Sequence, residues 1–155
     1  MVAVLAQTVR KSSADVTNVE LGTAINYSVL AGSTVTNTGP SVLVSSIGLS
    51  PGSSVTGFPP GSVTAPGTID ISNPAAVTAK DNLTTAYLDS AGRSVTSVVT
   101  ADLSGLELGP GVYSAAAKAP LALTSTLTLN GGGDNNAVFI FQTDSTLITS
   151  SSSVV

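Results

Sequence analysis

Hydrophobic positions along this chain come in short runs that alternate with hydroxyl residues and are cut by Gly, Pro and Asn. Residues 27–31 (YSVLA) read as a strand, and 34–38 (TVTNT) alternate until Gly39-Pro40 stops them. The pieces 42–44 and 47–49 follow, Ser50-Pro51-Gly52 turns, and 55–58 and 62–64 are two more short pieces. Later, 121–129 (LALTSTLTL) alternates strictly. Leu121, Leu123, Ser125, Leu127 and Leu129 face one way, and Ala122, Thr124, Thr126 and Thr128 the other. Residues 137–142 (AVFIFQ) are apolar without a break, as in a strand buried on both faces.

One segment has a different period. Asn73 is a good helix N-cap and Pro74 suits the first helical position. Ala76, Ala79, Leu83, Ala86 and Tyr87 recur at three- and four-residue steps, and Val77 and Leu88 widen the apolar face. Gly92 is the expected stop. The pattern predicts one helix over about 74–91, lying against a sheet. Short strands at this spacing fit a sandwich, a barrel or a β-solenoid. No fixed-length repeat is visible, which speaks against a regular solenoid and leaves an irregular one open. Residues 1–20 read as a lead-in, and 21–155 as the domain. The opening MVAVLAQT is too short for a complete signal peptide; it reads as a chain start or short first strand, or as a signal tail with Leu5-Ala6 before the cleavage point.

Composition narrows the chemistry. Of 155 residues, 23 are Ser and 20 are Thr, and 9 % are charged. With 42 % hydrophobic residues the chain is not of the disordered type. The five cations, Arg10, Lys11, Lys80, Arg93 and Lys118, are scattered in a chain of net charge −4, so nucleic acid is not an expected partner. Lack of Cys and His rules out disulfides, Cys/His zinc sites and His-based triads. No apolar stretch is long enough for a membrane span. No Lys stands in a Ser-x-x-Lys context, and no enzyme activity or cofactor is expected. The nine acids, Asp15, Glu20, Asp70, Asp81, Asp89, Asp102, Glu107, Asp134 and Asp144, form no recognisable pair and read as solvated surface. The loop 131–136 faintly resembles a phosphate or calcium loop but lacks the Lys of one and the Asp spacing of the other. Asn26-Tyr27-Ser28 and Asn82-Leu83-Thr84 are glycosylation tripeptides of the kind chance supplies in such a chain.

What remains are the hydroxyl-faced strands. Thr and Ser can simply solubilise an exposed sheet. They can also form a lattice, because strands stack at ~4.8 Å and same-face neighbours along a strand lie ~6.7 Å apart. β-branched Thr is stiff at χ1, so its methyl and hydroxyl hold fixed positions. Such a grid can anchor ordered water.

The segments LGTAINYSVLAGSTVTNTG (21–39), IGLSPGSSVTGFPPG (47–61), LTTAYLDSAGR (83–93), LGPGVYS (108–114) and NAVFIFQTDSTL (136–147) together resemble the microbial ice-binding (antifreeze) protein family. The resemblance implies a mainly β fold, an irregular right-handed β-solenoid with one long helix packed alongside. It implies a secreted or cell-surface protein of cold-adapted microbes that adsorbs to ice through a flat Thr/Ser face and inhibits growth and recrystallisation. Mapped onto this chain, the early part of that face corresponds to Ser33, Thr34, Ser53, Ser54, Ser62 and Thr64. In the family several more strands follow the segment matching SSSSVV, about the last third of the domain. The expectation is therefore a domain incomplete at its C-terminus, with self-association through the open solenoid end. The competing readings are a structural or adhesive β-solenoid module and a carbohydrate-binding β domain. The latter lacks an aromatic platform, since Tyr27, Tyr87, Tyr113, Phe58, Phe139 and Phe141 are the whole aromatic set and most read as buried.

Overall fold

In a computed structural model, residues 16–155 are described, so the chain opening and most of the lead-in lie outside the described residues. The fold is mainly β with one α-helix, and the described residues form two compact units.

The first unit, Val19–Gly92, is two parallel coils and the start of a third. One side stacks β1 (Tyr27–Ala31), β4 (Ser46–Leu49) and β7 (Ile69–Ile71), the second β2 (Thr34–Thr36) and β5 (Ser54–Thr56), the third β3 (Val42–Leu43) and β6 (Ser62–Val63). All pairings are parallel, as expected when successive turns of a coil lie on one another. Ile47 and Leu49 of β4 are fully buried.

The helix α1 (Pro74–Gly92) lies on the β1–β4–β7 side. Asn73 caps it: its Oδ1 accepts from the Ala76 amide at 2.9 Å, and its carbonyl from that of Val77. Ala76, Ala79 and Ala86 are the buried residues, so contact with the sheet is made by the smallest side chains. Three expected members of the apolar face are not there, the first being Val77, which is 42 % exposed. Tyr87 and Leu88 are 69 % and 63 % exposed, because an alanine stripe brings the helix too close for larger residues on its flank to turn under.

The second unit comprises Arg93–Val155 together with the described lead-in residues 16–18. The Arg93 guanidinium ties that lead-in down by donating to the carbonyls of Thr17 and Asn18. Here β8 (Ser97–Val99), β10 (Gly111–Ala115) and β13 (Phe139–Gln142) stack on one side. Next come β11 (Leu121–Leu123) on β14 (Leu147–Thr149), and β9 (Glu107–Leu108) on β12 (Thr128–Leu129). Bridges Asp102–Ala122 and Thr126–Val154 extend the pairing. Leu103, Ala115, Leu121, Leu123 and Leu127 form the core.

Two strand expectations change. In residues 121–129 Leu121, Leu123 and Leu127 are buried, Leu129 is half-buried and Thr124, Thr126 and Thr128 are exposed, but Ser125, expected on the leucine side, is exposed as well, because the chain turns a corner between β11 and β12 rather than running as one strand. The coil needs that corner to close on itself. The fully buried strand is β10, whose five residues are all inside, whereas β13 pairs only with β10 and its aromatics are half-buried. Phe141 is stacked on Tyr113, ring centroids 5.5 Å apart. The spacing between partners varies: Thr34 meets Ser54 and Val42 meets Ser62, yet Val29 meets Ile47 and Gly111 meets Phe139. That irregularity is why no repeat is visible in the sequence.

Candidate functional site

Within the first unit β2 and β5 form a small outward grid. Thr34 pairs with Ser54 and Thr36 with Thr56, all four exposed, over half-buried Val35 and Val55. No hydrogen bond to another described residue occupies these four hydroxyls, and each is open to solvent. Ser33 and Ser53, one step ahead of the strands, are exposed as well. Thr36 and Thr56 were absent from the sequence-derived set, although the pattern Thr-Val-Thr and Ser-Val-Thr already put them on the outer side.

Both ends of this grid are pinned by glycine. A Cβ on Gly52 would lie 1.9 Å from the Ser33 carbonyl oxygen, and one on Gly57, where φ is +80°, 1.8 Å from that of Asn37. The upper coil can sit at strand distance only because no side chain is present there. Asn37 holds the corner beyond the grid. Its amide nitrogen donates to the carbonyls of Gly39 and Gly57, the latter at 2.9 Å, and its oxygen accepts from Ser41 Oγ at 2.8 Å.

Ser62 and Thr64 lie past that corner, on the β3–β6 side. The six residues named from the sequence therefore fall on two sides of the coil: Ser33, Thr34, Ser53 and Ser54 on one, Ser62 and Thr64 on the next. Thr64 Oγ1 donates to the Leu43 carbonyl at 3.1 Å, so its hydroxyl is engaged by the coil. Not one charged residue occurs between Glu20 and Asp70, so both sides are free of ionic groups.

Hydroxyls on the helix side are, by contrast, consumed internally. Asp70 accepts from Asn73 Nδ2 at 2.7 Å, Thr68 Oγ1 at 3.0 Å and the Tyr27 hydroxyl at 3.1 Å. Those bonds, the one from Asn73 foremost, hold its carboxyl below the usual range, while desolvation and the Asp70 bond raise the Tyr27 phenol. In the second unit Asp102 plays the same part: Ser104 Oγ donates at 2.6 Å and Thr124 Oγ1 at 2.8 Å, joining adjacent coils. Bonds from Ser104 above all, then Thr124, lower the Asp102 carboxyl to about 2. Both acids join neighbouring segments through these bonds, while Asp102 stays exposed and Asp70 half-buried, in keeping with their reading as surface groups. The loop 131–136 is an ordinary turn, with the Asn130 side chain accepting from the Gly132 amide at 2.9 Å, and no cluster of acids able to hold a metal occurs among the described residues. Of the two glycosylation tripeptides, Asn82 is engaged with Thr23 at 2.8 Å and Asn26 is exposed.

Stacked parallel coils, a capped helix over one side and a charge-free row of exposed hydroxyls on another define a β-solenoid type of fold. Comparison with known proteins makes the class particular: the ice-binding-like family model matches residues 29–155, and the chain belongs to that family. A curated ice-binding protein from Nostoc sp. (strain HG1) is 52 % identical over 136 residues, which is 87 % of this chain and 49 % of that protein. The chain thus spans about half the length of that relative. The crystal structure of an ice-binding protein from the Antarctic ascomycete Antarctomyces psychrotrophicus superposes with a TM-score of 0.80 at 34 % identity, covering 88 % of this chain and 66 % of that one. An ice-binding protein from an Antarctic biological consortium gives 0.79 at 40 % identity, over 97 % of this chain and 64 % of the other.

Proposed function

We propose that this chain is an ice-binding domain that adsorbs to ice through the exposed grid of Thr34, Thr36, Ser54 and Thr56, flanked by Ser33 and Ser53, and thereby slows crystal growth and recrystallisation. The observation that carries the reading is that the four grid hydroxyls stand in strand register and make no hydrogen bond to another described residue. Free hydroxyls and stiff methyls at strand spacing can order water into a layer that joins the lattice. Ligand capture of this kind needs no catalytic group, no metal and no cofactor, and it acts outside the cell or at its surface, where ice forms. No helix of the described residues is long and apolar enough to cross a membrane.

The test is partition of the folded chain into a slowly growing ice hemisphere. The wild type should enter the ice, and Thr36→Tyr, which raises a ring above the plane of the grid, should be excluded with an unchanged circular dichroism melt. A folded wild-type chain that stays in the liquid would instead be a structural or adhesive module. Self-association also belongs to this reading. Leu147, Ile148, Val154 and Val155 are all more than half exposed, and β14 is paired on one side only. Apolar strand edges of this kind recruit further strands. Light scattering should show a mass that rises with concentration; a constant monomer mass defeats the idea.

A further inference from the structure

The chain has one Asn-Gly dipeptide, Asn130-Gly131, at the exit of β12. Asn-Gly usually marks a two-residue hairpin, yet β12 runs parallel to β9 and no hairpin forms here. The asparagine instead starts the turn into 131–136. Its Oδ1 accepts from the Gly132 amide at 2.9 Å, its Nδ2 donates to Glu107 Oε1 at 2.8 Å, and its own amide donates to the Leu108 carbonyl at 2.8 Å. The first of these bonds folds the carboxamide back over the peptide that follows and draws electron density from Cγ. The Gly131 nitrogen makes no hydrogen bond to another described residue. Packing keeps glycine there: a Cβ would lie 2.9 Å from the Asp134 carbonyl oxygen and 3.1 Å from Ala137 Cβ. With no side chain on that residue, nothing screens Cγ from its nitrogen. Asn130 is exposed, and a cavity of about 650 Å³ lined by Glu107, Asn130, Gly131 and Asp134 admits water to it.

We propose that Asn130 is a self-modification site, at which the asparagine cyclises onto the Gly131 nitrogen and water then converts it to a carboxylate. In the first step a bond forms between that nitrogen and Cγ, the Cγ–Nδ2 bond breaks, and ammonia leaves with the proton that the Gly131 amide gives up. In the second, water opens the ring at Cγ to give aspartate, or at the Asn130 carbonyl carbon to give isoaspartate, and the new carboxyl passes its proton to the ammonia. Water is the only co-reactant. The product reverses the chemistry of the turn: a donor to Glu107 becomes a carboxylate beside it, in a cavity that Asp134 also lines. Like charges at hydrogen-bond distance repel. The Asn130–Glu107 contact between adjacent coils is then lost, and the loop opens at the end of the β9–β12 pair. This inference is independent of the ice-binding reading.

The test incubates the full folded chain at neutral and mildly alkaline pH in water carrying heavy oxygen, and follows it by peptide mass spectrometry. Asn130 should convert ahead of every other asparagine, to a mixture of aspartate and isoaspartate, with uptake of the labelled oxygen. Conversion should be faster at the higher pH, because the Gly131 nitrogen attacks once deprotonated. Asn130→Gln, whose longer side chain cannot close the same ring, should keep its amide. Hydrogen exchange at the amides of residues 130 and 132 should be faster in the aged wild type than in the fresh chain, and Asn130→Asp should reproduce that loosening. The aged wild type supplies the same product should Asn130→Asp fail to fold. Lack of conversion at Asn130, earlier conversion at another asparagine, or a product without isoaspartate overturns the site. Unchanged exchange in the converted chain overturns the opening of the loop and leaves the modification standing.

Discussion

At Gly57 the backbone carries φ +80°, and the space that a side chain would fill belongs to the Asn37 carbonyl oxygen. Both conditions exclude any residue but glycine. Gly57→Ala should therefore cost at least about 2 kcal/mol, the scale of a positive-φ penalty added to a forced backbone shift. Urea unfolding checks it, and an unchanged midpoint would refute the close approach. Asn37 is legible in the sequence only as a turn residue. Its role as a corner brace needs Gly57 and Ser41 brought to it by the coil, which no local pattern encodes. The outward hydroxyls were readable from alternation alone. Which of them share a side was not, because a corner between 37 and 41 separates Thr34 from Ser62 in a way that period two does not reveal.

At the scale of elements, the helix shows what periodicity fixes and what it leaves open. Its N-cap, start and stop follow from Asn73, Pro74 and Gly92, and the structure places all three as expected. Its buried face is narrower than the apolar pattern, since its only buried residues are the alanines 76, 79 and 86. Ala79→Leu should cost about 1–3 kcal/mol through overpacking, whereas Tyr87→Ser on the exposed flank should stay within roughly 0.5 kcal/mol of wild type; thermal melts distinguish them. Asp70 and Asp102 give a pH signature. Both carboxyls are lowered on folding, so their stabilisation is complete above the ordinary carboxylate value near 4 and is lost as pH falls through the folded values. For Asp102 that window runs from about 4 down to about 2. The melting temperature should be flat from pH 7 to 5 and should drop below pH 4. Asp102→Asn should flatten part of that drop, and an unaltered profile would show that this carboxyl carries no linkage.

Across the whole molecule, the fold class was readable because short strands, hydroxyl faces and one capped helix occur together, and because the segments from 21 to 147 match a family. The side on which each strand falls was not, since the chain travels a different distance between stacked partners at almost every turn. In the second unit the same irregularity hides the alignment of Asp102 with Ala122 and of Thr126 with Val154. These pairings join residues on successive coils with no sequence signal of their own.

Between Glu20 and Asp70 the chain carries no ionisable acid or base, and the two outward sides described above come from that stretch. Freezing excludes solutes, so the liquid in contact with growing crystals becomes brine, where the Debye length shrinks to ~3 Å near 1 M. Ionic contacts fail there. Neutral hydroxyls and methyls have nothing for salt to screen, and kosmotropic ions strengthen apolar contacts rather than weaken them. On the proposed reading, a face built this way would keep its grip on ice in concentrated brine.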